Sequence, residues 1–270
     1  MVAEILTDSA WQDALVIGFA LIIFYVWRRK RHLERAAKNI TKSTDITFNT
    51  GYRWEETDLS HFPMLDPDFY EKTSEQMEDL GLRHLVDMNC LHLTEANPNQ
   101  KVMMRTFLSE SGDYGATAFH LRVTGWSRIL MRLLGHKPDC KIVGFTSYLS
   151  DGRFIHTANN AGFPKLSHPE EVVFYRYQES TSPRELLAHH RETLNQLYQG
   201  DDEATVIIKV KTLEEMIEME TREHLIEQRY RQGLDSQYTE NEVRDLSPSL
   251  SEQERQRFLE LMKDKKSGRE

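Results

Sequence analysis

The sequence predicts an α+β fold in which a single N-terminal transmembrane helix precedes an antiparallel sheet of about five strands with packed helices. Three observations carry this expectation. An apolar run at Ala14–Trp27 is closed by Arg28-Arg29-Lys30-Arg31; two hairpin signatures follow in succession at Ser111-Gly112-Asp113 and Ser150-Asp151-Gly152; capped helical stretches flank them. The composition agrees. Of 270 residues, 39% are apolar and 29% charged, the balance of a globular chain, and 13 glycines with 8 prolines are too few for a linker-dominated one. A formal net charge of −9 argues against a nucleic-acid partner. Cys90 and Cys140 are too few for a disulfide scaffold.

Residues 11–27 read as the membrane span. The stretch ALVIGFALIIFYVW is unbroken, and Trp11 extends it with only Gln12 and Asp13 intervening. At ~1.5 Å per residue it covers about 26 Å, the short limit for a hydrocarbon core of roughly 30 Å. Trp11 and Trp27 sit where interfacial aromatics anchor a helix, and Arg28, Arg29, Lys30 and Arg31 suit anionic headgroups. Glu4, Asp8 and Asp13 precede the run with no Lys or Arg, so the positive-inside rule places residues 1–10 outside a cell membrane and the bulk of the chain in the cytoplasm. A cleaved signal peptide has the reverse order of charge. On this reading residues 28–65 are a basic collar and linker, 66–200 the α+β domain and 201–270 a charged helical arm and tail, with the lipid bilayer as a partner.

Along the body, Asp66 caps a helix with Pro67 at its first position and Gly81 as its stop; Phe69, Thr73, Met77 and Leu80 form its stripe. Leu82–Thr94 holds a further strand candidate. Lys101–Ser109 with Gly115–Thr124, and Lys141–Leu149 with Arg153–Thr157, read as two hairpins, the second turning on Asp151-Gly152. Two hairpins in a row favour antiparallel pairing over a βαβ unit. Between them, Gly125–Gly135 spells a basic amphipathic helix, either a lid on the sheet or a helix on a bilayer surface. Glu171–Tyr177 is another β-rich run. Ser182-Pro183-Arg184-Glu185 is a capping box opening a helix to about Gln199, with Leu186, Leu187, His190, Leu194, Leu197 and Tyr198 on one face. Thr205–Lys209 suits a short strand. Thr212-Leu213-Glu214-Glu215 caps a helix to about Gln232 whose apolar stripe fades after Met219, so its second half is expected in solvent. Residues 233–248 read as loop and Ser251–Lys263 as a last helix.

Chemistry is sparse. No HExxH, CxxC, GxGxxG, Walker loop or GxSxG is present, and no cofactor or metal is expected. Among eleven histidines, His189 and His190 are adjacent and diverge by about 100° on a helix, so only His190 points inward. His120 and Arg122 share a face of one strand; Tyr148 and His156 share a face across the Asp-Gly turn. If those faces coincide, a small polar site forms on the sheet, and His120, Tyr148, His156 and His190 are its candidate catalytic residues.

The order of these features resembles that of uncharacterised bacterial proteins, some with a single N-terminal anchor. The matching features are the helix ending at Leu80-Gly81, the Asp151-Gly152 hairpin followed by Thr157 and Asn159, and the Ser182-Pro183-x-Glu185-Leu186-Leu187-x-x-His190 helix. The resemblance covers residues 65–195 and implies an α+β domain and no known activity. The function expected is that of a membrane-anchored interaction or accessory module with a protein partner not identifiable from sequence. A hydrolase using the sheet histidines and a small-ligand or lipid-binding module are the alternatives.

Overall fold

The computed structural model describes Arg31, Glu34, Ala37 and Lys38, and residues 53–91, 100–123, 139–162, 166–200, 205–234, 238–246 and 250–266. Within these the strands are β1 (Trp54–Glu56), β2 (Leu82–Cys90), β3 (Gln100–Lys101), β4 (Met104–Ser109), β5 (Gly115–Val123), β6 (Asp139–Leu149), β7 (Phe154–Ala158), β8 (Val172–Arg176) and β9 (Ile207–Ile208). The helices are α1 (Pro67–Asp79), α2 (Pro183–Gly200), α3 (Leu213–Gly233), α4 (Glu240–Leu246) and α5 (Glu252–Lys266). All nine strands join one sheet in the order β1-β2-β4-β5-β6-β7-β8, with β3 added to β5 and β9 to β6.

Side-chain alternation gives the sheet two apolar faces, and both are covered. Phe107, Ala116, Ala118, Val143 and Phe145 meet Met77 of α1 and Leu186 and Leu187 of α2. Leu108, Tyr148, Phe154 and Val172 point the other way, against Met216, Met219 and Ile226 of α3. Local chemistry fixes the helix starts. The Asp66 carboxylate accepts from the amides of Asp68 and Phe69, and Pro67 follows it. Ser182 and Thr212 close capping boxes with Glu185 and Glu215. The Arg105 guanidinium donates twice to Asp87, at 2.7 and 2.6 Å, and once to Ser74 of α1 at 3.1 Å, tying that helix to β2 and β4. Burial opposes the charge on Asp87, but the hydrogen bonds from Arg105 and His84 prevail and hold the carboxyl below its ordinary range.

Three expectations are corrected. The first is the membrane anchor. Among the described residues no helix is long and apolar enough to cross a membrane. Residues 11–27, and with them Trp11, Trp27, Arg28, Arg29 and Lys30, lie outside the described residues, while Arg31 is helical and exposed. What is described next to the run is held by protein: Ala37 is fully buried against Val243 of α4 and Phe258, Leu259 and Met262 of α5. Of the segment read as a lipid collar, Ala37 thus belongs to a helical cluster with α4 and α5, and the single-pass placement in a cell membrane is withdrawn.

The second correction concerns the sheet, which has nine strands rather than five and is mixed. β7 and β8 run parallel, Phe154 pairing with Val172 and Ala158 with Arg176. Helices cover both faces. The third concerns the boundaries. Residues 54–56, expected in the linker, pair with β2. The arm after residue 201 supplies β9 and α3 to the main body. A short helix, α4, occupies part of the expected loop at 233–248. The amphipathic segment 125–135 lies outside the described residues.

The β4–β5 turn abuts the segment between β9 and α3: the Val210 amide donates to the Gly112 carbonyl at 2.9 Å. Gly112 has φ +77°, and a Cβ there would stand 2.6 Å from the Val210 carbonyl oxygen, whereas Gly81 (φ +80°) has open space around it. Gly81→Ala is therefore expected to cost about 1–2 kcal/mol from backbone conformation alone. Gly112→Ala adds a clash between backbones and should cost more. Urea unfolding of the two variants checks this, and equal losses would contradict the contact.

Candidate functional site

A polar layer lies between the sheet and α3. Its floor is Phe174 of β8. The His156 ring, on β7, stacks on Phe174 with centroids 4.4 Å apart and planes at 15°. His168, in the segment leading into β8, rests on the same ring at 4.4 Å and 36°. The Arg176 guanidinium sits 5.6 Å from it. The roof is one stripe of α3. Glu223 Oε1 lies 2.8 Å from His156 Nε2, a charge pair whose angle is poor for a hydrogen bond. The His168 Nδ1–H donates to Glu227 Oε1 at 2.7 Å. On the sheet side, His156 Nδ1 is 2.9 Å from the Thr146 hydroxyl. These four ionisable side chains are only 14% to 18% exposed.

Burial and mutual charge set the protonation of the layer. Desolvation disfavours charge on His156, but Glu223, Glu227 and Glu220 outweigh it and hold the imidazole above its ordinary 6.5. Glu220 is pushed up to about 7, by burial first and by Glu223 second. Burial also works against the charge of Glu227; the hydrogen bond from His168, with the charges of His168, His156 and Arg231, reverses the balance and keeps that carboxyl low. Burial lowers His224, against the pull of Glu227 and Glu223. Tyr148 is raised well above 10.0 by burial, helped by Glu220 and Glu223. At neutral pH Glu227 is therefore ionised, whereas Glu220 is poised between its two forms.

The opposite face handles histidine differently. His190 of α2 is completely buried between two hydroxyls. Ser147 donates to the Asp113 carbonyl at 2.7 Å, so its oxygen accepts from His190 Nε2–H at 2.9 Å. Thr157 then donates to His190 Nδ1 at 2.9 Å. Both ring nitrogens are satisfied in the neutral form, and burial, with the charges of His156 and Arg191, pushes the pKa down to about 3. Ser147 lies beside a histidine but has spent its proton on a carbonyl, which leaves no activated nucleophile. His120 is also buried and accepts the Asp66 amide at Nδ1, bracing the cap of α1. Its Nε2 is 3.7 Å from Asp139, and burial lowers its pKa.

The four side chains singled out by sequence therefore do not meet at one point. Tyr148 and His156 share the α3 face. His120 and His190 lie on the other; there, the β6 partners of the two histidines, Lys141 and Ser147, are six residues apart, about 20 Å along the strand. Thr157 and Asn159 act as clips, Asn159 accepting from the Val143 amide and donating to the Glu179 carbonyl. Sequence reasoning missed His168, Glu220, Glu223 and Glu227. The available signal was their spacing: Met216, Glu220, Glu223, Glu227 and Arg231 continue one helical stripe at intervals of 4, 3, 4 and 4. Among the described residues no group of His, Cys, Asp and Glu has the geometry to hold a metal ion. Comparison with protein families, with curated proteins and with solved structures found no match, so the layer is read from its chemistry alone.

The neutral state of His190 has a signed consequence. Its folded pKa lies below the 6.5 of free imidazole, so the unfolded chain takes up the proton first as pH falls. The stabilisation is complete above about pH 6.5 and is lost progressively toward about pH 3, by an amount on the order of a few kcal/mol. His190→Gln removes this dependence. Urea midpoints measured from about pH 6.5 to 4 should fall more steeply for the natural chain than for the variant; parallel curves would show that His190 is charged in the folded protein.

Proposed function

We propose that the chain is an interaction or accessory module whose binding element is the outward side of α3. The observation that carries this reading is the division of labour on that helix. Its inward stripe is committed: Met216 packs on the sheet, Glu223 meets His156, Glu227 meets His168, and Arg231 donates to Glu242 of α4 and to the Ser167 carbonyl. Its outward stripe presents Glu218, Thr221, Arg222, Leu225 and Arg229 along a shallow groove. Leu225 is 45% exposed there, one of two large apolar side chains left in the open among the described residues. An apolar residue ringed by two arginines and a glutamate suits a partner that offers an apolar side chain with acidic neighbours. The helical order of α3 supports the reading further, because a pre-ordered helix loses little entropy on binding. The sheet histidines support it as well: His190 and His120 are engaged in holding helices in place.

A photo-crosslinking residue at position 225, in the full chain in its native cells, provides the test. A discrete adduct that is absent when the probe stands at exposed Glu110 is expected, and Leu225→Asp should cut co-purification of that species at least fivefold without moving the thermal midpoint. Identical adducts from both positions, or none from 225, would overturn the reading.

A further inference from the structure

We infer that α3 is a proton-operated clasp, seated on the sheet in weakly acidic to neutral solution and loosened as the solution turns alkaline. The inference does not depend on what the outward side of the helix binds. It rests on placement: three carboxylates, those of Glu220, Glu223 and Glu227, occupy successive turns of one stripe of α3, and a histidine of β7 and another of the segment before β8 face two of them. His156 faces Glu223 at 2.8 Å and His168 faces Glu227 at 2.7 Å. Both rings lie on Phe174, so neither can swing away from the stripe without leaving its stacking partner.

Every element around the layer contributes a term. β6 offers the Thr146 hydroxyl and the Tyr148 phenol, which stays protonated throughout. β7 offers His156, β8 Arg176, and the preceding segment His168. From across the sheet His190 feels His156 but remains neutral. On α3 itself stand His224, buried, and Arg231, whose charge reaches Glu227.

The signs then separate by pH. Glu220 has its folded pKa raised from 4.5 to about 7, so seating is unhindered while it is protonated and weakens as pH rises through that interval. His156 is raised above 6.5, so its attraction to Glu223 is complete below that value and lost as pH climbs past the folded pKa. Two groups act in the opposite direction. Glu227, lowered, loses its contribution only in acid, below its ordinary 4.5. His224, lowered from 6.5, supports seating above 6.5 and withdraws support below it. From about pH 6.5 upward the opposing pair is spent, and Glu220 and His156 act together. Ionised Glu220 then stands beside Glu223 while the sheet loses a cation.

Hydrogen exchange of the full chain, corrected for the intrinsic pH dependence of the chemistry, tests the clasp. Protection of α3 amides is expected to drop by about fourfold or more between about pH 6.5 and 8.5, with little change in α2. Glu220→Gln, which mimics the protonated acid, should retain most of the protection at the higher pH. Equal α3 protection at both values, or a fall in Glu220→Gln as large as in the natural chain, overturns the inference. Should that variant fail to fold, the ring proton resonances of His156 in the natural chain decide: titration above 6.5 supports the clasp, and titration at or below 6.5 overturns it.

Discussion

A carboxylate cannot stay charged beneath a helix unless a cation or a donor is waiting for it. That requirement governs how α3 sits and, through α3, how one whole face of the sheet is covered. The helix brings real apolar surface at its first turns, where Met216 and Met219 enter the core. Beyond them the same stripe turns acidic. A buried pair such as His156 with Glu223 contributes little net stability relative to apolar packing, yet losing one member strands the other and costs about 3–5 kcal/mol. The pairs therefore act less as glue than as register marks: only one axial position of α3 puts Glu223 on His156 and Glu227 on His168 at once.

The two faces of the sheet show one residue type under two regimes. His190 sits between the Ser147 and Thr157 hydroxyls, beside the Tyr114 and Phe145 rings, and is neutral. His156, one strand position away from Thr157, is surrounded by glutamates and favours its proton. Burial acts in the same sense on both, and the difference comes from the neighbours. β7 thus carries a fixed dipolar contact on one side and an exchangeable charge on the other, which lets a single strand serve as rigid frame for α2 and adjustable seat for α3.

Much of the frame was legible in the residues. Asp66-Pro67, Ser182-Pro183-x-Glu185 and Thr212-x-x-Glu215 announce helix starts by a local mechanism, side-chain oxygens meeting free amides, and the helices begin there. Asp151-Gly152 likewise marks a turn by what glycine alone tolerates. What local chemistry does not encode is which way a strand returns. Two consecutive hairpins made antiparallel pairing the natural expectation, and the parallel β7–β8 pair depends on a connection whose path has no sequence signature. The apolar run at 11–27 was an ambiguous signal for a related reason: hydrophobicity reports that a segment avoids water, not what shelters it. The polar layer is hidden from sequence because hydrophobicity fades after Met219, the usual mark of an exposed face. Periodicity was intact; only its chemistry had changed.

Strand β9 is two residues long, but it pairs with β6, and its flanks reach back to the β6–β7 turn, where the Ser150 amide donates to the Val206 carbonyl, and to Gly112 through Val210. Those bonds join residues 56 and 98 positions apart. During synthesis the rim of the sheet thus waits for late arrivals: until residues 206–231 have emerged from the ribosome, the surface later hidden by α3 is bare, and Phe154, Val172 and Phe174 face the surrounding medium. The growing polypeptide spends that interval as a client for any chaperone that grips exposed apolar sheet.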